Sequence, residues 1–559
     1  MFLDKWQIWH TYSTFFIDPI PDLAAAAQDI VRLGLVECAV VSDGDFYWKS
    51  DSAMESGYAK VALSPNRMQA VVTIKPQPEG FVLEAVFQAA HLRFSEMQQF
   101  GESGNFPPPY VRGFVGECRL VSPKREILVY PIIKLYATGV VLVEMRIMSP
   151  DHAVALEEFV ENYVNLYKWR FAEVWGPPGL AVLAQHAFVF YQRHHWPIHL
   201  RGSLLHLDRQ LAGYLQDQTK AFVSGDFTYE LAPLWRASSE SEGTETKEDS
   251  KGGEADEAFS FSELAHAITA ATGTAISRLR RGAHLLLRGQ RHPLTLGNYW
   301  LARPHIHITR HNGQMETAEE NEKQFGDSYG WIMGRLVRED LGLGRRYLPN
   351  DLRPFGDFAA YIALQGSLWV WSQSGLRQSE VWALPNDSHL IYENQPKAEL
   401  LDYGYMLHRR VAATVAQLGT SADVLRTHQD LIELKLHMSE ASVFGETREL
   451  LAKGWEEMGV PRIQELVTES LATRHAQETA AEQERAVRWD ATLTVVFGIL
   501  AIPTLAAELV EPTWEWLHLR QPSDSNAAKL FFNGVAFLLV VAVLLLYRRM
   551  LLHRGRRRA

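Results

Sequence analysis

The sequence predicts an α+β cytosolic head, followed by an all-α stalk and a two-helix transmembrane hairpin. Three observations predict it. Residues 1–235 and 261–397 mix alternating, strand-like stretches with helical ones. Residues 398–490 read almost entirely as helix. Two apolar runs, 491–510 and 530–547, then follow near the C-terminus. Each is close to the ~20 residues that cross a ~30 Å hydrocarbon core as a helix.

The 559 residues are too many for one ordinary domain, and 47% of them are apolar, enough for each part to bury a core. The formal net charge of −11 argues against general nucleic-acid binding. The two cysteines, Cys38 and Cys118, sit in no CxxC or Cys/His zinc spacing, so a reducing, cytosolic setting is expected. "MFLDKWQIWHTYSTFFIDPIP" lacks a basic start, an apolar run and a small-residue cleavage site, and no secretion signal is expected.

Within the head, "VECAVVSDGDFYWKS" signals a hairpin, with Asp43-Gly44 between an apolar and an aromatic run. The stretch from Val111 to Met148 reads as three or more strands, turning at Pro123-Lys124 and Thr138-Gly139. A helix is expected next, capped by Ser149 with Pro150 in its first turn. Residues 236–260 are rich in Ser, Gly and Glu with no apolar period, which predicts a disordered acidic linker. Beyond it, "YWLARPHIHITRH" and "DFAAYIALQGSLWVWSQSG" read as strands, and Glu316–Asp340 as a helix interrupted by glycines.

The stalk is predicted as helices ending at Gly419 and at Gly459. From Pro461 no Gly or Pro interrupts the pattern before Gly498, so one helix is expected to run from the stalk into the first apolar run. Ala472, Ala476 and Ala480 form a narrow seam suited to a bundle or an oligomeric stalk. Arg485 and Arg488 precede the first run. Six arginines crowd the tail 548–559, and the connecting loop holds only Arg520 and Lys529. The positive-inside rule then places both termini in the cytoplasm of an inner (plasma) membrane protein.

Thr494, Gly498, Ala501, Thr504 and Glu508 recur at helical spacing along one side of the first run, with Glu511 beyond. Such a stripe serves either close helix packing or a pore lining with acidic rings at its mouth. The long helix leading into "LTVVFGILAIPT", the short loop and a second run ending "LLLYRR" resemble the C-terminal membrane domain of CorA-type divalent-cation transporters. The resemblance implies a homo-oligomer in the lipid bilayer, a first span lining the pore, and a divalent cation as the transported ion. The family's Gly-Met-Asn is missing, replaced by "AELVEPTWEW", so no selectivity residue carries over. The expected function is thus a CorA-like cation channel gated by ligands or contacts of the head. The alternative is a membrane-anchored sensor, scaffold or effector whose hairpin carries no ions.

Other candidate chemistry is sparse. His305 and His307 share a strand face and suit a metal only if a third ligand converges. Otherwise they belong to an exposed face, with Ile306 and Ile308 turned inward. Arg278, Arg280, Arg281, Arg288 and Arg291 form a basic cluster suited to an anion, or to a solvated surface. No Walker A loop, nucleophile elbow or His-Glu-x-x-His is present, and no cofactor site or catalytic residue is identified.

Overall fold

The computed structural model describes residues 1–16, 19–50, 53–63, 70–101, 107–122, 125–177, 179–180, 232–236, 259–282, 299–335, 344–379, 387–415, 444–517 and 525–556, with scattered positions between 429 and 442. The expected linker, 236–260, lies almost wholly outside them. The chain falls into two compact units, the second formed chiefly by Glu469–Ala559.

The first unit is built on a mixed sheet. Its longer N-terminal strands are β1 (Phe2–Phe15), β2 (Cys38–Val41), β3 (Asp45–Ser50), β4 (Ala53–Leu63), β5 (Ala70–Lys75), β6 (Tyr110–Phe114), β7 (Cys118–Ser122), β8 (Arg125–Tyr136) and β9 (Val140–Met148). Shorter strands follow: β10 (Val154–Ala155), β11 (Arg170–Phe171), β12 (Glu173–Gly176), β13 (Ala232–Arg236) and β14 (Phe259–Ser260). Then come β15 (Leu301–His311), β16 (Phe358–Ala363) and β17 (Gly366–Trp371). The main path runs β16-β17-β15-β1-β9-β8-β6-β2-β3-β4-β5. Strands from both sides of the acidic segment therefore share one sheet, because β15 pairs along nearly all of β1. The β15–β17 pair is parallel; the other pairs on this path are antiparallel.

Period-two alternation gives this sheet two different faces. On one, Ile8 and Tyr12 of β1, Val143 and Met145 of β9 and Ile306 and Ile308 of β15 pack into the main apolar core. That core is covered by α1 (Leu23–Arg32) and by α4 and α5, defined below. The opposite face is covered by α2 (Gly80–Phe100) and by α7, whose Ile391 joins Trp9, Val86 and Phe114.

The remaining helices of the first unit are α3 (Leu156–Phe159), α4 (Phe261–Gly282), α5 (Ala318–Gly334), α6 (Gln373–Ser379), α7 (Ser388–Val415) and α8 (Gly445–Glu457). Thr317 caps α5 in a reciprocal box with Glu320. The expected helix at Ser149-Pro150 does not form there. Val154 and Leu3 pair instead, and the Leu156 N–H donates to the Met1 carbonyl, so strand pairing takes the backbone groups that a helix would have used. The hairpin at Asp43-Gly44 forms as expected, Gly44 taking φ 107°. The expected head–stalk boundary at 397/398 falls inside α7, which is a core helix of the first unit.

α9 (Val460–Leu500) supplies the last residues of the first unit, to Thr468, and opens the main segment of the second. Gly459, at φ 77°, separates it from α8, as the sequence indicates. The helix does not continue unbroken. It ends at Leu500, and α10 (Ile502–Leu505), a π-helical turn at Ala506–Val510 and α11 (Glu511–Trp516) follow. Pro503 accounts for the break: it brings no N–H, and its ring crowds the carbonyl of Ile499. α12 (Ser525–Arg556) packs through Phe532 and Ala536 on Ala506 and Val510, with Trp514 edge-on to Phe531. One window among the described residues, Asn526–Val543, is long and apolar enough to cross a membrane, with mean hydropathy 1.8 and 11% of it buried.

Close approach makes one glycine a direct test of this packing. A Cβ on Gly330 of α5 would lie 1.8 Å from the Gly344 carbonyl oxygen. Gly330→Val is expected to destabilise the first unit by about 1–3 kcal/mol or more through overpacking. Chemical denaturation followed by far-UV circular dichroism measures it.

Candidate functional site

The face of the sheet under α7 carries charge where its sequence is otherwise apolar. Arg112 on β6, Lys134 on β8, Glu144 on β9 and Arg303 and His305 on β15 all point to this side, and all are buried. α7 answers them with Gln395, Glu399 and Asp402, at steps of four and three along one helical face. α2 adds Glu96.

Arg112 donates a two-pronged pair of hydrogen bonds to Glu399, at 2.9 and 2.8 Å. Lys134 Nζ donates to Glu96 at 2.9 Å and to the same Glu399. The Tyr110 hydroxyl donates to Glu96 at 2.6 Å. Arg303 pairs with Asp402, which also accepts from His305 Nε2 at 2.9 Å. Ser367 Oγ meets the other His305 nitrogen at 2.7 Å. Gln395 bridges the halves, donating to Glu144 at 3.0 Å and accepting from His307 Nε2 at 3.1 Å.

Burial alone raises a carboxyl pKa, and which effect wins differs by site. At Glu399 burial pushes upward, but Arg112 and Lys134 outweigh it and hold the group down to about 2. Glu96 and Asp402 are likewise lowered by their cationic partners against burial. Glu144 goes the other way: burial, then the Glu399 charge, push it well above the usual carboxylate range, against the pull of Arg112 at 3.6 Å. Three fully buried cations, Arg112, Lys134 and Arg303, thus face the buried acids Glu96, Glu144, Glu399 and Asp402. Charges of both signs meet in a layer closed to solvent, which makes it a structural network.

The same helix opens on one side to a cleft of about 760 Å³. Phe94, Phe355, Phe358, Trp371 and Tyr392 supply aromatic walls, and Lys397 of α7 lines it. Lys397 is only 4% exposed. Its Nζ donates to Asn394 Oδ1 at 2.9 Å, lies 5.4 Å from the Phe358 ring centre, and is 4.0 Å from Glu393. Burial lowers its pKa, only partly opposed by Glu393. Across the cleft burial raises the Asp357 carboxyl. A large concave site with aromatic walls and a desolvated amine is the strongest ligand-binding candidate among the described residues.

The residues singled out from sequence fall elsewhere. His305 and His307 are on one strand face, as expected, but that face is buried. The imidazoles are engaged by Asp402, Ser367 and Gln395, and α7 covers what reads in sequence as a solvated strand edge. Among the described residues no group of three or more His, Cys, Asp and Glu side chains is arranged to hold a metal ion. Arg278, Arg280 and Arg281 belong to the last turns of α4, where only the backbone is described, and Arg288 and Arg291 lie outside the described residues. Thr494 and Gly498 are in α9, again with only the backbone described. Ala501 sits at the break and is half-buried; Thr504, Glu508 and Glu511 are exposed, off the face that packs on α12.

The sequence reading missed Lys397 and the whole network. Its available signal was charge inside otherwise apolar strands, Arg112 in "YVRGF", Lys134 in "YPIIKLY" and Glu144 in "VVLVEMRIM".

Truncating Arg112 leaves Glu399 buried with Lys134 but without its forked partner, and truncating Glu399 takes from Arg112 and Lys134 the acid they share. Arg112→Met is expected to cost about 3–5 kcal/mol, and Arg112→Met with Glu399→Met less than the sum of the single changes. Denaturant titration of the four proteins measures the coupling. Acid sensitivity has a second source. Burial lowers His10 and His307 from 6.5 to about 3, so the unfolded chain binds protons in that window that the folded chain refuses. Stability therefore falls as pH drops through 6.5, and below 4.5 the lowered carboxylates Glu96 and Glu399 add to the loss. Glu144 opposes them: its contribution is full below 4.5 and is lost as pH rises through its raised value. Melting temperature is expected to fall between pH 6.5 and 4.5, and His307→Gln to flatten that slope.

No protein-family model, curated protein or solved structure matches the chain, so the cleft and its lysine stand on their own chemistry.

Proposed function

We propose that the chain is a membrane-anchored ligand sensor. Its first unit is a cytosolic head that takes a small molecule in the Lys397 cleft, and residues 491–547 form a two-helix transmembrane hairpin with both termini inside. The observation that carries the anchor is exposed apolar surface in the second unit. Leu530 is 80% exposed, Leu500 67% and Phe497 65%, on segments long enough to meet a bilayer. A soluble protein rarely leaves a contiguous apolar surface of this kind uncovered, whereas lipid covers it at no cost. Trp514 and Trp516 stand between the two apolar runs, where interfacial aromatics anchor a hairpin, and the arginines of 548–559 favour the cytoplasmic side.

One observation favours a second reading, the CorA-like oligomeric cation channel. Thr504, Glu508 and Glu511 are exposed and turned off the face that packs on α12. Packing within the chain leaves that polar side unused. Copies arranged around an axis would give it a lumen, with the carboxylates attracting a divalent cation. In this reading the head's ligand shifts a pre-existing equilibrium between two arrangements of the stalk.

The anchor requires the full chain to stay with vesicles through alkaline carbonate, and a tag after Ala559 to be shielded from added protease in sealed cells. Release by carbonate, or a tag digested from outside, removes the reading. Reconstituted protein separates the two versions. Cation flux that falls with Glu508→Gln supports the channel, and a flux-silent protein supports the sensor.

A further inference from the structure

The cleft beside α7 differs from an ordinary anion pocket in one respect. Its lysine is nearly enclosed, yet among the described residues the carboxylate closest to pairing with it, Glu393, stands at 4.0 Å with its own side chain 46% exposed. Elsewhere under the same helix, Lys134 is fully buried and held between Glu96 and Glu399. The two lysines share an element and a depth but not a fate. Burial lowers Lys397, while at Lys134 the carboxylates overcome burial and raise the group well above its usual value. A desolvated lysine gives up its proton more readily than an exposed one, and the amine so freed is a nucleophile.

The rest of the cleft says what that amine would meet. Asp357, Glu393 and Glu446 line it, so its field disfavours an anion. Phe94, Phe355, Phe358 and Trp371 offer flat apolar surface, which suits an aromatic or otherwise apolar body. Gln99 Nε2 donates to the Glu393 carbonyl at 2.7 Å, tying α2 to α7 and holding the wall in place.

We infer that the cleft is a carbonyl-binding site in which Lys397 condenses with a neutral aldehyde or ketone carried on an apolar or aromatic body. The Nζ lone pair forms a bond to the carbonyl carbon, and the C=O π pair moves to oxygen, which takes a proton. Loss of a proton from nitrogen and of the oxygen as water then gives the imine. Amine and carbonyl compound become imine and water, with no change of oxidation state. Glu393 relays protons in both halves, and Asn394 Oδ1 orients the amine through its 2.9 Å hydrogen bond. The inference deepens the reading of the cleft as the head's ligand site and rests on it.

The test uses the full chain in detergent near neutral pH, with benzaldehyde as the neutral probe, glyoxylate as the anionic one, and cyanoborohydride to reduce any imine to a stable secondary amine. Peptide mass spectrometry then compares Lys397 with Lys453, whose side chain is 53% exposed. Benzaldehyde is expected to label Lys397 on the order of tenfold faster than Lys453, and faster than glyoxylate does. Phe355→Ala, at an exposed wall position, is expected to narrow that preference while leaving the fold intact. Labelling of Lys397 no faster than of Lys453 overturns the inference, and a preference for glyoxylate overturns the ligand class. Hydrogen exchange separates the two levels of failure. Protection of residues 354–358 and 389–397 by benzaldehyde without an adduct keeps the cleft as a ligand site and removes the lysine chemistry. Neither protection nor adduct removes both.

Discussion

The forked pair between Arg112 and Glu399 is the constraint on which the first unit is assembled. Two charges this deep are worth having only together, because either alone in a low-dielectric layer costs several kcal/mol. The pair joins β6 to α7 across 287 residues of chain. Lys134 then shares Glu399, Glu96 balances both cations, and Gln395 passes the register on to Glu144 and His307. Once α7 is seated so that Glu399 meets its arginine, Asp402 falls one helical turn further on, opposite Arg303 and His305. Apolar packing on the other face gives stability with little preference for register. The charged face supplies the register.

The seating of α7 also makes the cleft. Residues 395, 399 and 402 are spent on the network, so the side of the helix carrying Glu393 and Lys397 is turned to the cleft lined by α2, Phe358 and Trp371. Pro396 lies between these two sets inside the helix. It withholds an N–H from the carbonyl of Tyr392 and loosens the turn from which Lys397 projects. The structural layer and the reactive-looking amine are thus two sides of one helix, and the difference between them is the distance to the nearest acid.

How much of this was legible in the sequence varies with the range of the information needed. The Asp43-Gly44 hairpin, the strands around His305 and Tyr361 and the Gly459 helix stop are local patterns that appear where the residues indicate, and the apolar run 530–547 overlaps the window Asn526–Val543. The start of the helix after Met148 was misplaced because β1 captures Val154, a partner more than a hundred residues away. His305 and His307 illustrate the limit best. Alternation correctly put them opposite Ile306 and Ile308, but one strand cannot announce that a helix 90 residues later will roof its polar face with Asp402 and Gln395. Isolated charges in apolar strands, Arg112, Lys134 and Glu144, were the trace of that roof. The Lys397 cleft left no trace, since its walls come from stretches of chain as far apart as Val72, Phe94, Phe355, Tyr392 and Phe444.

The span between Arg112 and Glu399 has a consequence for biosynthesis. On a growing chain, Arg112 and Lys134 emerge with Glu96 already made, but long before Glu399, the acid they share on α7. The greasy segment at 526–543 is made later still. The order of the codons therefore sets an order of assembly: the cations on the strands are made first, Glu399 and Asp402 on α7 later, and the apolar segment last.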